Sequence, residues 1–145
     1  MSNLKQTTVI VDTDALFALF NKDDANAQKA ENLLQILYEH KVRLLYPATT
    51  LVETIDTLQR RLKRHGEAAQ VATLISASQF AIESIEPISG ELLKNAATFF
   101  ENYQSNQITL ADCVVAAVAK KYNAVIFSFD NWYKKLGFRL VTDLY

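Results

Sequence analysis

Four acidic residues occupy positions from which their side chains could hold a metal ion. Asp12 and Asp130 each follow a short apolar run, while Glu53 and Asp112 each lie in the first turn of a predicted helix. Carboxylate oxygens suit hard Mg²⁺ or Mn²⁺ ions, whereas zinc would favour His and Cys. Converging carboxylates repel one another unless a cation neutralises them. Brought together, the four would form a cation site able to activate water for phosphodiester hydrolysis.

Each of these acids also has an ordinary structural interpretation. Asp12 and Asp130 stand at favourable N-cap positions, and Thr109 and Asp112 have the spacing of a capping box. Glu53 needs no further role than to complement the dipole of its helix. For each acid alone the structural interpretation is at least as good as the functional one. Four acids in similar settings favour a shared site.

Other catalytic groups are scarce in the sequence. His40 and His65 adjoin no Ser or Cys that they could activate, and we expect both at the surface. Cys113 begins an apolar stretch, which is typical of a small core residue and not of a reactive thiolate. Hydrolysis by a metal-activated water would require no protein nucleophile.

Strands and helices alternate along the chain and must position the acids. We predict strands at 9–11, 43–46, 80–85, 124–129 and, as a fifth, 138–141, with helices between them at 13–20, 25–40, 51–65, 67–78, 89–103 and 109–121. The third helix is expected to be capped by Thr49 or Thr50. Parallel strands need helical crossovers, so the predicted fold is a three-layer α/β/α sandwich with a central, mostly parallel sheet of four to five strands. Ligands of such sheets bind beyond the carboxyl ends of the strands, where Asp12 and Asp130 stand.

Length and composition predict one globular domain spanning residues 1–145. The net charge of −1 argues against nucleic-acid binding through overall basicity, so any nucleic acid would require a local basic patch. One cysteine, no signal-peptide pattern and no long apolar run predict a cytoplasmic protein without a membrane span.

Three segments carry a resemblance to a known family. The segments VIVDTDALFALF, PATTLVETIDTL and ITLADCVVAAVAKKYNAVIFSFD resemble, in order and spacing, the acidic motifs of the PIN domain family, and in particular the toxin of VapBC-type toxin–antitoxin pairs. The match runs from about Thr8 to Leu140. The resemblance implies a Mg²⁺- or Mn²⁺-dependent endoribonuclease whose catalytic and metal-binding residues are Asp12, Glu53, Asp112 and Asp130. It also implies RNA as substrate, a cognate antitoxin as partner and a homodimer.

Two positions depart from the usual family pattern. Asp14 stands where a neutral Asn or Ser is usual, and it could add negative charge to the site or cap a helix. Ser128 stands where a Thr often precedes the last acid, and the hydroxyl group is kept.

Substrate contacts are predicted at Arg60, Arg64 and Ser128. The two arginines belong to the densest basic run and would lie on the same helical stripe as Glu53, although such a run more often forms a solvated face. Trp132 and Tyr133 could stack on a base, but aromatic residues after a strand more often belong to the core.

Three alternative functions stay open at this point. The domain could be a solitary PIN nuclease, or it could bind RNA or protein without catalysis. The opening Val9–Asp14 also resembles the strand and DxD motif of haloacid-dehalogenase-type phosphatases, in which Asp12 would be the nucleophile. The phosphatase would need a further acidic pair near Asp130, where the chain has one acid.

Overall fold

The central sheet consists of short parallel strands. The computed structural model describes residues 6–76 and 84–145, and within these ranges the strands are β1 (Thr8–Val11), β2 (Arg43–Pro47), β3 (Ile85–Glu86) and β4 (Val125–Phe127). Their order across the sheet is β3–β2–β1–β4, and each neighbouring pair is parallel. The predicted parallel sheet of at least four strands is therefore confirmed.

Helices connect the strands along the described chain. They are α1 (Thr13–Phe20), α2 (Ala27–Glu39), α3 (Ala48–Asp56), α4 (His65–Ser76), α5 (Gly90–Asn102), α6 (Leu110–Tyr122), α7 (Trp132–Lys135) and α8 (Val141–Leu144), and a π-helical turn at Thr57–Arg61 extends α3.

Two hydrophobic cores lie on opposite faces of the sheet, because successive residues of a strand point to opposite faces. Ile10 and Ile126 pack in the core beneath α5 and α6. Val9, Val125 and Phe127 pack in the other core, beneath α1 and α2. This arrangement confirms the predicted three-layer α/β/α sandwich.

Two predicted strands differ from the structure. Residues 80–83 of the predicted third strand lie outside the described residues, and the strand described there is Ile85–Glu86. The predicted fifth strand, 138–141, contributes one parallel bridge, between Leu140 and Ile126. The pairing does not extend beyond Leu140 because α8 begins at Val141.

The bounds of α3 were predicted incorrectly. Neither threonine caps the helix: its N-cap is Pro47, and the Thr50 hydroxyl donates to the carbonyl oxygen of Val11 at 3.0 Å. The helical path ends at Arg61, and Lys63 adopts a positive φ of 54° before α4 begins. The Thr50 hydroxyl therefore fastens α3 to the end of β1, a role that local sequence does not reveal.

The helix α6 is the most deeply buried helix of the described chain. Every residue from Cys113 to Ala119 is buried, as expected of a helix between the sheet and α5. Despite this apolar character, none of the helices in the described ranges is long and apolar enough to cross a membrane.

Candidate active site

Asp12 and Asp130 lie at the carboxyl ends of two adjacent strands. The pairing of β1 with β4 sets Val11 beside Phe127, and the backbone N–H of Asp12 donates to the carbonyl oxygen of Phe127 at 3.0 Å. Asp130 follows β4 after two more residues. Both acids therefore reach the same edge of the sheet, as the sequence predicted.

The carboxylate of Asp12 is buried and held through both oxygens. Its Oδ1 accepts a hydrogen bond from the Thr13 backbone N–H at 2.8 Å, and its Oδ2 accepts one from the Tyr133 hydroxyl at 2.9 Å. Burial raises the pKa of Asp12 well above its ordinary value, and the charges of Asp14 and Asp112 raise it further. The group is thus costly to ionise unless a cation is present.

Asp112 comes to the site on the N-terminus of α6. The predicted capping box is confirmed, because the Thr109 hydroxyl accepts from the Asp112 backbone N–H and Asp112 Oδ2 accepts from the Thr109 N–H at 2.9 Å. Burial raises the pKa of Asp112 and the charge of Asp130 adds to the increase, while the bonds to Thr109 lower it. The cap and the site are compatible roles for one carboxylate, since each oxygen has more than one lone pair.

Glu53 and Asp130 are each restrained by one hydrogen bond. Glu53 Oε2 accepts from the hydroxyl of Thr13, the residue that follows Asp12, at 2.8 Å. Asp130 Oδ1 accepts from the backbone N–H of Trp132 at 2.9 Å. Thr13 therefore links the first turn of α1 to α3, and the start of α7 restrains Asp130.

Asp14 forms a fifth carboxylate of this region. Its Oδ2 accepts from the Ser128 hydroxyl at 3.1 Å and from the Phe129 backbone N–H at 2.9 Å, while its Oδ1 is buried and has no hydrogen-bond partner among the described residues. Burial raises the pKa of Asp14 to about 6, the hydrogen bonds partly oppose this increase, and the charge of Asp130 adds to it. Of the two roles left open for Asp14, the structure favours added negative charge at the site. Its partners Ser128 and Phe129 follow β4 and lie more than 100 positions away in the sequence, so local patterns could not identify them.

The carboxylates of this site are chemically suited to bind a hard divalent cation. The ion pairs among the described residues lie elsewhere, at Arg64–Asp23, Lys121–Glu86 and Lys134–Asp143. Within the described part of the chain, no three His, Cys, Asp or Glu side chains come together as a ready-made metal cage. Mg²⁺ commonly uses one or two carboxylates and keeps several waters, so a complete protein cage is not required. The all-oxygen donor set and the unpartnered Asp14 oxygen therefore fit Mg²⁺ or Mn²⁺.

The predicted substrate contacts lie in different settings. Arg60 is exposed in the π-helical turn, whereas the Arg64 guanidinium donates to Asn21 and Asp23. The prediction that both arginines share a helical stripe with Glu53 is wrong, because the helical path ends at Arg61.

The aromatic and polar residues after β4 face inward. Ser128 is buried and its hydroxyl donates to Asp14. Trp132 and Tyr133 are also buried, so the core interpretation of these two rings is confirmed and stacking on a base is not supported. Cys113 is a core residue as expected, and burial raises the pKa of its thiol to about 11.

Comparisons with known proteins agree on one fold. The family model described as "PIN domain" matches residues 9–139. A search of curated protein sequences gives no significant match.

Solved structures resemble the whole chain. VapC20 of Mycobacterium tuberculosis, described as a sarcin–ricin-loop-cleaving toxin, is 23% identical with a TM-score of 0.75, over 90% of this chain and 95% of that one. VapBC2 from Rickettsia felis, bound to a DNA fragment from its promoter, is 16% identical with a TM-score of 0.64, over 92% and 97%. FitAcB from Neisseria gonorrhoeae is 16% identical with a TM-score of 0.66, over 91% and 95%. At such identities the similarity establishes a shared fold.

Proposed function

Because the chain belongs to the PIN domain family, whose model matches it from residue 9 to residue 139, we propose that it is a metal-dependent endoribonuclease. The proposed catalytic and metal-binding residues are Asp12, Glu53, Asp112 and Asp130. The proposed cofactor is Mg²⁺ or Mn²⁺, and the proposed reaction is hydrolysis of RNA phosphodiester bonds. A cytoplasmic location is part of the same proposal.

The convergence of carboxylates at one edge of the sheet carries this proposal. The pKa of Asp12 is raised by burial and by the charges of Asp14 and Asp112, and the pKa of Asp112 is raised by burial and by the charge of Asp130. Such mutual repulsion weakens a fold unless a bound cation offsets it. A purely structural set of acids would more simply pair with Lys or Arg.

The roles of the protein residues follow from how each is held. Asp12, fixed through both oxygens, and Asp112, fixed by its capping box, would be the most rigid ligands. Glu53 and Asp130 have one restrained oxygen each and would approach from α3 and from the end of β4. When bound, the metal supplies an activated water and neutralises charge on the phosphate. The protein residues would hold the metal in position.

Substrate binding is proposed for Arg60, Arg64 and Ser128. Arg60 is exposed and could contact a phosphate directly, whereas Arg64 would have to exchange its bond with Asp23 for one with RNA. Ser128 would act through its position between Asp14 and Asp130. If Arg60→Ala and Arg64→Ala left RNA binding and its salt dependence as in the wild type, the arginine proposal would be wrong.

A toxin role in a type II toxin–antitoxin pair is proposed from the structural neighbours. VapC20 is described as a toxin, and VapBC2 was solved on promoter DNA. The proposal includes a cognate antitoxin and a homodimer. Growth arrest on expression, relieved by co-expression of the neighbouring gene, would support it; unaffected growth, with RNA cleavage intact, would favour a solitary PIN nuclease.

The deciding experiment is cleavage of single-stranded and structured RNA by the purified protein. A sarcin–ricin-loop oligonucleotide is a suitable structured substrate, because VapC20 is described as cleaving that loop. Wild type would be compared with Asp12→Asn, Asp112→Asn and the exposed control Asp56→Asn, each with Mg²⁺, Mn²⁺ or EDTA. We expect metal-dependent cutting in the wild type and the control, and a loss of about 100-fold or more in the two site variants.

Other outcomes would contradict the proposal. RNA binding without cutting would indicate a non-catalytic module, and equal cutting by all variants would indicate a contaminant. A phosphatase would instead form an aspartyl-phosphate on Asp12. The structure gives little support to that alternative, because Asp12 is 4% exposed and both of its oxygens accept hydrogen bonds.

A further inference from the structure

Tyr133 is the largest fully buried side chain of the described residues, and its hydroxyl reaches the acidic site. Its relative exposure is 0%, and the hydroxyl donates to Asp12 Oδ2 at 2.9 Å. The phenol is the donor in this bond, and the carboxylate oxygen is the acceptor.

The hydrogen bond from Tyr133 restricts how the Asp12 carboxylate can turn. The Thr13 N–H binds Oδ1 and the Tyr133 hydroxyl binds Oδ2, so rotation of the carboxylate would break one of the two bonds. A carboxylate has about four lone-pair positions, and these bonds use one on each oxygen. Acceptor capacity therefore remains on this carboxylate for a further ligand.

The short helix α7 holds a second acid of the site at the same time. Trp132 and Tyr133 are adjacent in α7, and the Trp132 N–H donates to Asp130 Oδ1 at 2.9 Å. The two rings pack together with centroids 4.8 Å apart, inside the core formed with α6. The position of α7 therefore affects Asp12 and Asp130 together.

We propose that Tyr133 is a positioning residue of the metal site, which fixes the Asp12 carboxylate while the neighbouring Trp132 N–H fixes Asp130. The inference rests on the proposed function, because it assumes that these two acids bind the metal. Partners that orient a ligand in this way commonly change metal affinity by about 10- to 100-fold when they are removed. Tyr133 would contact neither metal nor RNA.

Tyr122 provides a matched control. Its hydroxyl donates to a carboxylate as well, Glu86 Oε2 at 2.6 Å, and Lys121 Nζ donates to Oε1 of the same carboxylate at 2.7 Å. Tyr122→Phe and Tyr133→Phe thus each remove one phenol-to-carboxylate hydrogen bond. They differ in whether that carboxylate belongs to the acidic site.

The test is Mn²⁺ binding, measured by electron paramagnetic resonance of the free ion in the absence of RNA. We expect Tyr133→Phe to bind Mn²⁺ at least about tenfold more weakly than the wild type, and Tyr122→Phe to bind it equally well. Equal Mn²⁺ affinity of Tyr133→Phe and wild type would overturn the inference and leave the proposed nuclease intact. If the wild type binds Mn²⁺ no better than Asp12→Asn, the metal site itself is wrong and the inference fails with it.

A second measurement does not depend on the stability of Tyr133→Phe. With 3-fluorotyrosine placed at position 133 of the otherwise unchanged protein, Mg²⁺ should shift the ¹⁹F resonance in a saturable way. The same label at position 122 should give no comparable shift. A resonance at position 133 that does not move while Mg²⁺ saturates the protein would contradict the inference.

Discussion

The side chain of Asp14 has an unusual balance of contacts for a buried carboxylate. One oxygen accepts two hydrogen bonds from Ser128 and Phe129, and the other oxygen is buried with no partner in the described part of the chain. Two hydrogen bonds favour the charged form, yet burial has the larger effect and raises the pKa to about 6. In the metal-free protein the charge on Asp14 therefore destabilises the fold near neutral pH.

Asp14→Asn should accordingly stabilise the metal-free protein. Asparagine keeps the shape and one acceptor oxygen for Ser128 and Phe129, while it removes a negative charge beside Asp12. We expect the free energy of unfolding to rise by about 1 kcal/mol, which corresponds to roughly 3 °C in Tm. The measurement is thermal unfolding in EDTA near neutral pH.

The exposed Asp56→Asn is the control for Asp14→Asn, because it removes the same charge from the surface. Surface substitutions usually change stability by less than about 0.5 kcal/mol. A Tm for Asp14→Asn at or below that of Asp56→Asn would show that the charge of Asp14 is already compensated in the metal-free protein.

At the scale of elements, the N-terminus of α6 determines where Asp112 lies. The Thr109 hydroxyl and the Asp112 carboxylate satisfy each other's backbone N–H groups, and the rest of the helix is locked in the core. Loosening this turn would move a proposed metal ligand without altering it chemically. The helix α5 begins with an equivalent cap, in which Ser89 Oγ accepts from the Leu92 N–H at 3.1 Å.

Thr109→Ala and Ser89→Ala should therefore have similar effects on stability and different effects on activity. Each removes an N-cap hydroxyl, for which we expect a loss of about 1 kcal/mol in the free energy of unfolding. Only Thr109→Ala should also slow RNA cleavage, because it releases the turn that carries Asp112. Thermal unfolding and single-turnover cleavage measure the two effects.

Thr109→Ser is the conservative variant at the same position and should restore both properties, since serine keeps the capping hydroxyl. Equal cleavage rates for Thr109→Ala and Ser89→Ala would mean that the cap serves stability alone.

For the whole molecule, the acidic residues should make stability depend on pH and, through the proposed metal site, on divalent ions. Asp12, Asp14 and Asp112 all have folded-state pKa values above those of an unfolded chain. The folded protein therefore binds more protons than the unfolded protein above about pH 4, and its stability falls as pH rises through the folded pKa values. For Asp14 this window extends from about pH 4 to about pH 6, and the raised pKa values of Asp12 and Asp112 act in the same direction.

We expect the double variant Asp12→Asn/Asp14→Asn to be more stable than the wild type in EDTA at about pH 7.5, with an advantage that shrinks towards about pH 5. Both proteins contain the other carboxylates, such as Glu86 in its pair with Lys121. The difference in Tm between the two proteins therefore reports on Asp12 and Asp14. Thermal unfolding across this pH range is the measurement.

Saturating Mg²⁺ should reverse the order of stability at about pH 7.5, because the ion binds the folded wild type and raises its Tm by mass action. The double variant should respond weakly, since it lacks two of the carboxylates. If the difference in Tm in EDTA did not change with pH, repulsion between Asp12 and Asp14 would be contradicted. If Mg²⁺ raised the Tm of both proteins equally, these two carboxylates would not bind the metal.

The amino-acid sequence by itself determined most of the elements and the placement of Asp12 and Asp130 at strand ends. Apolar runs that end in Asp12 and Asp130 predicted two strands with acids at their carboxyl ends, and an apolar stretch after Asp112 predicted a buried helix. These features depend on residues within a few positions of one another, so local patterns are sufficient to predict them. The parallel α/β/α architecture followed because parallel strands require crossover helices.

Only the tertiary structure decided which side chains became partners. Tyr133 bonds to Asp12 across 121 positions of sequence, Ser128 to Asp14 across 114, and Thr13 to Glu53 across 40. The same is true of Thr50, which fastens α3 to β1 where a cap was predicted. Such contacts arise when elements distant in the sequence pack together. A change of about an ångström in the donor–acceptor distance decides whether a hydrogen bond forms, and local propensity carries no information about that distance.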